Sequence, residues 1–150
     1  MKGPQDAPAR QIYRTPKALL LIYYSLVTAW TIVSVVFIGG KTVEAGGGDL
    51  VWLGMIAFVL GFTWYFSLGV FYRIGMGPEG EMELTSFRRV LTTHPREIEA
   101  VEGPFLPVGF VRFKLQGERA YLMCILTNPV LRGILERIGE MNPEVKFKTR

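Results

Sequence analysis

The sequence predicts an α-helical transmembrane hairpin followed by a small α+β domain, a curved antiparallel sheet or open barrel with a C-terminal helix. Three observations predict it. Charge is segregated: no Asp, Glu, Lys or Arg occurs from Ala18 to Gly40, and none from Leu50 to Tyr72. From Arg73 onward the apolar residues fall into short strand-like runs separated by Gly and Pro. The chain then reaches one run with helical spacing. Composition agrees, since 150 residues that are 49% hydrophobic and 13% aromatic, with mean hydropathy +0.27, are more apolar than soluble domains of this size usually are.

Residues 1–17 read as a polar tail carrying Lys2, Arg10, Arg14 and Lys17 against Asp6. The first apolar segment, Ala18 to Ile38, has 21 residues, roughly 31 Å as a helix and about the hydrocarbon thickness of a bilayer. The second, Leu50 to Tyr72, has 23 residues, roughly 34 Å, enough to cross with some tilt. Neither has the polar face that buried soluble helices of this length carry. Val43-Glu44-Ala45 resembles a signal-peptide cleavage site. However, the apolar run is longer than a signal core and its basic flank is long, so the segment reads as a retained helix.

Basic residues before the first segment, and Arg73 after the second, place both termini on the cytoplasmic side. The intervening Gly39–Asp49 loop, too short and flexible for a domain, closes the hairpin outside. The expected location is therefore an integral cytoplasmic or inner membrane, with the lipid bilayer as first partner. Lys17, Trp52, Tyr72 and Arg73 read as interface anchors, and Trp30 and Trp64 lie deeper. Gly54, Ala57, Gly61, Leu68 and Gly69 share one face of the second helix at 100° per residue. Ser25 and Ala29, four apart on the first helix, could meet that stripe. Small residues allow close backbone approach in lipid. The stripe therefore packs on the protein's own first helix, or docks another membrane protein or a second copy. Neither segment holds an ionisable side chain beyond tyrosine, which argues against transport.

In the soluble part, Tyr72–Met76 reads as a strand leaving the membrane and Gly77-Pro78-Glu79-Gly80 as a turn. Met82, Leu84 and Phe87 mark a second extended run, Val90–Thr93 a third, and Ile98 with Val101 another. Val111, Phe113 and Leu115 alternate with Arg112 and Lys114, the pattern of a half-buried strand. Gln116-Gly117-Glu118-Arg119 turns the chain into Ala120–Leu126. The last element is a helix with Thr127 or Asn128 as cap, Pro129 at its first position, and Asn142-Pro143 as its stop. Its apolar face is Leu131, Ile134, Leu135, Ile138 and Met141.

The strand hairpin, Asn128-Pro129, the helix and then Asn142-Pro143-Glu144-Val145 resemble the bacterial pleckstrin-homology-like domains found behind short membrane hairpins. Arg96-Glu97-Ile98-Glu99-Ala100-Val101 is similar to a segment those domains place after their first strands. The resemblance covers roughly residues 72–148 and implies a binding or assembly module in place of an enzyme. The basic signature of phosphoinositide-binding members is not matched; Arg88 and Arg89 are its nearest counterparts.

No constellation for catalysis, metal or cofactor stands out. Cys124, the one cysteine, lies in an apolar strand and reads as a buried, inert thiol. His94, the one histidine, reads as a solvated turn residue. Arg73, Arg88, Arg89, Arg112, Lys114 and Arg119 would make a basic side if they cluster, yet residues 73–150 are nearly balanced, with 12 basic and 10 acidic side chains. A solvated surface and contact with anionic lipid headgroups both remain open. Nucleic acid is disfavoured, because no basic stripe interleaved with aromatics is visible. The expected function is a membrane-anchored accessory or scaffold protein that binds a membrane protein or complex; the alternative is a sensor of anionic headgroups.

Overall fold

A computed structural model describes residues 10–44, 50–104 and 106–149. In chain order these form β1 (Gln11–Arg14), α1 (Lys17–Glu44), α2 (Leu50–Gly69), β2 (Phe71–Met76), β3 (Met82–Ser86) and β4 (Val90–Thr93). A 3-10 turn (Pro95–Glu97) leads to β5 (Ile98–Gly103), β6 (Val108–Leu115), β7 (Glu118–Ile125), α3 (Pro129–Met141) and β8 (Lys146–Thr149). The chain divides into two units. One is Pro16–Leu68; the other joins the residues up to Thr15 with those from Gly69 onward.

The Pro16–Leu68 unit is an antiparallel helix pair. Tyr24 on α1 meets Ser67 on α2, and Thr31 meets Trp64. Both helices contain a stretch long and apolar enough to span a bilayer, Lys17–Ile38 and Val51–Gly69. α1 runs on to Glu44, past the expected end at Ile38. Gly39 and Gly40 each weaken a helix by about 1 kcal/mol relative to Ala, which does not end one. The described part of the expected 39–49 loop is thus helical, and residues 45–49 lie outside the described residues. α2 stops at Gly69, three residues short of Tyr72. Val70-Phe71-Tyr72 is β-branched and aromatic, and Val70 and Phe71 are buried at 3% and 1% exposure.

The other unit is an α+β fold around a mixed, open, eight-stranded sheet of order β4-β3-β2-β7-β6-β5-β8, with β1 beside β2. Most neighbours are antiparallel, as expected. Two are not: β2 meets β7 in parallel at Phe71 and Leu122, and β5 runs parallel to β8. Both β1 and β8 were unexpected. β1 converts part of the supposed tail into core, because Tyr13 and Thr15 are 2% and 4% exposed. β2 gives one edge to β3 and shares the other between β7, at Phe71, and β1, at residues 73–76. Where the sheet would splay between β2 and β7, β1 therefore fills the gap. The Tyr13 hydroxyl accepts a hydrogen bond from Ile125 N–H at 2.9 Å. The Thr15 hydroxyl donates to the Met123 carbonyl.

Period-two alternation in β6 sends Val111, Phe113 and Leu115 inward. α3 lays Leu131, Ile134 and Ile138, each at 0% exposure, into the same core as Ile74, Leu84 and Leu122. Its start is fixed as the sequence predicts: Asn128 Oδ1 accepts from Val130 N–H at 2.9 Å, and Pro129 follows. Two turns use glycine at positive φ, Gly80 at +89° and Gly117 at +84°, a region that side chains with a Cβ rarely adopt. Phe87 does not continue β3. Ser86 Oγ accepts from the Arg88 and Arg89 N–H groups, which turns the chain and leaves Phe87 58% exposed.

Candidate functional site

The two helices of the hairpin meet along a seam that alternates apolar and hydroxylated residues. On α1 the inward positions include Tyr24, Val27, Thr31, Ser34 and Ile38, spaced three and four apart. On α2 they include Ile56, Leu60, Thr63, Trp64 and Ser67. This is the spacing of left-handed helix pairs. Hydrogen bonds cross the seam. Trp64 Nε1 donates to Thr31 Oγ1 at 2.9 Å. Tyr23 Oη donates to Ser67 Oγ at 3.1 Å, and Tyr24 Oη to the Ser67 carbonyl at 2.9 Å. The Thr31 hydroxyl donates in turn to the Val27 carbonyl, so it serves both helices.

The small-residue stripe is not part of this seam. Gly54, Ala57 and Gly61 are exposed, and a Cβ built on either glycine would meet nothing within 4 Å. Ser25 and Ala29 are exposed as well, on a shallow groove of α1 with Leu21, Thr28 and Ile32. Packing of this stripe on the protein's own first helix is therefore corrected: aromatic and hydroxyl side chains made a better contact elsewhere. Gly69 serves another purpose, since its Cα lies beneath the Arg88 guanidinium, 3.4 Å from where a Cβ would be. Leu68 is half-buried.

Of the expected anchors, Lys17 opens α1 and is exposed, and Trp52 is 58% exposed near the start of α2. Trp30 is 56% exposed, unlike its hydrogen-bonded counterpart Trp64. Tyr72 and Arg73 belong to strand β2. The Tyr72 ring lies 4.8 Å from that of Phe87.

The candidate headgroup cations are scattered and mostly engaged. Arg112 pairs with Glu102, and this carboxylate holds the guanidinium pKa above its ordinary value, helped by Tyr121. Lys114 pairs with Glu99 at 2.6 Å. Arg89 pairs with Glu118 and lies over the Phe71 ring, 5.5 Å from its centroid. Arg88 covers Gly69. Arg119 is exposed and faces Lys114 across the β6–β7 ladder. The alternation that predicted a basic face on β6 also places glutamates on β5 directly beside it.

Cys124 is fully buried, and desolvation pushes its pKa to about 11, which fits the inert thiol that the sequence suggested. His94 does more than the expected solvated turn residue. Its Nδ1 caps the 3-10 turn by accepting from Arg96 N–H at 3.3 Å, while the His94 backbone N–H donates to Glu97 Oε2 at 3.2 Å. The Thr93 hydroxyl donates to the same Glu97 oxygen at 2.6 Å, and these bonds hold the Glu97 pKa below the usual range. Among the described residues no group of three His, Cys, Asp or Glu could hold a metal ion. No family model, curated protein or solved structure matches the chain.

Proposed function

We propose that this is a non-enzymatic accessory or scaffold protein of the cytoplasmic membrane. In this reading α1 and α2 span the bilayer, the α+β domain lies on the cytoplasmic side, and the outer faces of the hairpin bind a membrane protein or complex. The observation that carries the partner reading is the position of the small residues. Gly54, Ala57 and Gly61 on α2, and Ser25 and Ala29 on α1, point away from the seam that already satisfies the helix pair. Close-approach faces that the chain does not use itself suit another helix in lipid.

Membrane crossing is supported by burial. None of the α1 span and 6% of the α2 span is buried, whereas a core helix of a soluble protein would be mostly buried. Retention of α1 is supported by β1, which precedes it and contributes Tyr13 to the core. The β1–β2 ladder pairs Arg14 with Arg73, which supports both helix ends emerging on one side. An α+β sheet whose core includes a C-terminal amphipathic helix supports the pleckstrin-homology-like reading, although the two parallel pairings depart from an all-antiparallel sheet.

The test is purification from native membranes in mild detergent, followed by mass spectrometry. A second chain at fixed stoichiometry, lost when Gly61 is changed to Leu, is the expected result. A monomer or homo-oligomer of unaltered size in both forms would end the partner reading.

A further inference from the structure

Across β1, β2 and β3 the register aligns Arg14, Arg73 and Thr85 in one row, which continues to Val90 on β4. Residues directly opposite on neighbouring strands share a face, with Cβ atoms about 5 Å apart. The core-facing row beside this one is Tyr13, Ile74 and Leu84, so Arg14, Arg73 and Thr85 share the outer face. Two arginines thus stand directly opposite each other on neighbouring strands, where like charges are unfavourable. Among the described residues neither has an ion-pair partner. The carboxylate two positions from Thr85 on β3, Glu83, is taken by Arg10 at 3.2 Å. Moreover, Arg73 Nε and Thr85 Oγ1 are both buried without a hydrogen-bond partner, an unfavourable state for adjacent groups that can each donate.

We propose that Arg14, Arg73 and Thr85 bind one phosphate-bearing anion. Guanidinium forks match the oxygens of a phosphate, one anion would offset both charges, and the Thr85 hydroxyl and Arg73 Nε–H would gain an acceptor. The site differs from the five cations Arg88, Arg89, Arg112, Lys114 and Arg119 and does not depend on the partner reading. The phosphate is that of a lipid headgroup or of a small soluble anion. Exposed Val90 at the end of the row suits the first.

The full chain in neutral detergent is titrated with inorganic phosphate, against chloride at equal ionic strength, and its melting temperature is followed. In parallel, the chain is reconstituted with phosphatidylcholine alone or with added phosphatidylglycerol, and retained lipid is read by native mass spectrometry. A saturable rise in melting temperature with phosphate identifies a soluble source. Selective retention of phosphatidylglycerol without a phosphate response identifies a headgroup. In either case Arg14→Gln weakens the response roughly tenfold or more, and without ligand it melts no lower than the parent because a repulsion is gone. Thr85→Val, which leaves both charges, also weakens binding. No response in either arm, or responses unchanged by both substitutions, overturns the site.

Discussion

The hairpin and the domain solve the same packing problem in opposite ways. In the domain, apolar side chains point inward and the β5–β6 surface carries paired charges, Arg112 with Glu102 and Lys114 with Glu99. In the hairpin, large apolar residues such as Leu26, Val36, Phe58 and Phe62 point outward, at 60% exposure or more. The polar groups of Tyr23, Tyr24, Thr31, Trp64 and Ser67 are gathered between the helices. Burial of apolar surface specifies the domain. Were the helix pair placed in lipid, as proposed, its surroundings would be as apolar as leucine, and hydrogen bonds and close fit would have to specify it instead.

The sharpest break of this contrast removes β1 from the domain. A fragment of residues 73–150 lacks Tyr13 and Phe71, both core aromatics. It is expected to show no cooperative unfolding. Residues 10–15 joined to 70–149 through a short glycine-containing turn should fold, as amide dispersion in NMR spectra would reveal. Next, Phe113→Ala in the full chain should cost about 3–5 kcal/mol of domain stability. The same substitution at exposed Phe58 should leave the domain unchanged. All three tryptophans, Trp30, Trp52 and Trp64, lie in the hairpin, so tryptophan fluorescence follows the hairpin while amide exchange follows the domain.

Smaller effects separate the regions further. Tyr13→Phe removes the acceptor of the Ile125 N–H and should cost about 1–3 kcal/mol in the domain. Thr31→Val, which deprives Trp64 of its acceptor, should cost only about 0.6 kcal/mol if the pair lies in lipid as proposed, and would be read as a shift in Trp64 emission. The smallest effect is at Glu97. Its pKa is depressed in the folded chain, so its contribution is fully present above the ordinary carboxylate value of about 4.3 and fades as pH falls through the folded value. Glu97→Gln should flatten that part of the thermal stability profile between pH 6 and 3.

Much of the architecture was legible because its signals are local. Alternation in Val111–Phe113–Leu115 and the Asn128-Pro129 cap need only a few neighbouring residues. β1 was not legible: Gln11–Arg14 is four residues long, and its partner lies some 60 positions downstream. The outward turn of Gly54 and Gly61 was equally hidden. A glycine stripe shows where a backbone can approach, while the seam was decided by the hydrogen bond from Trp64 to Thr31, which joins two segments 33 positions apart. The row of Arg14, Arg73 and Thr85 draws on three distant segments and appears only once the register is known.

The pairing of β1 with β2 also orders events during synthesis. Tyr13 leaves the ribosome before either apolar helix and cannot be enclosed until β2, β7 and α3 have followed. The sheet therefore closes only after the intervening helix pair, residues 16–68, has been made. The four-residue strand thus ties completion of the domain to segments on both sides of the helix pair, and a chain that stops before α3 leaves Tyr13 uncovered.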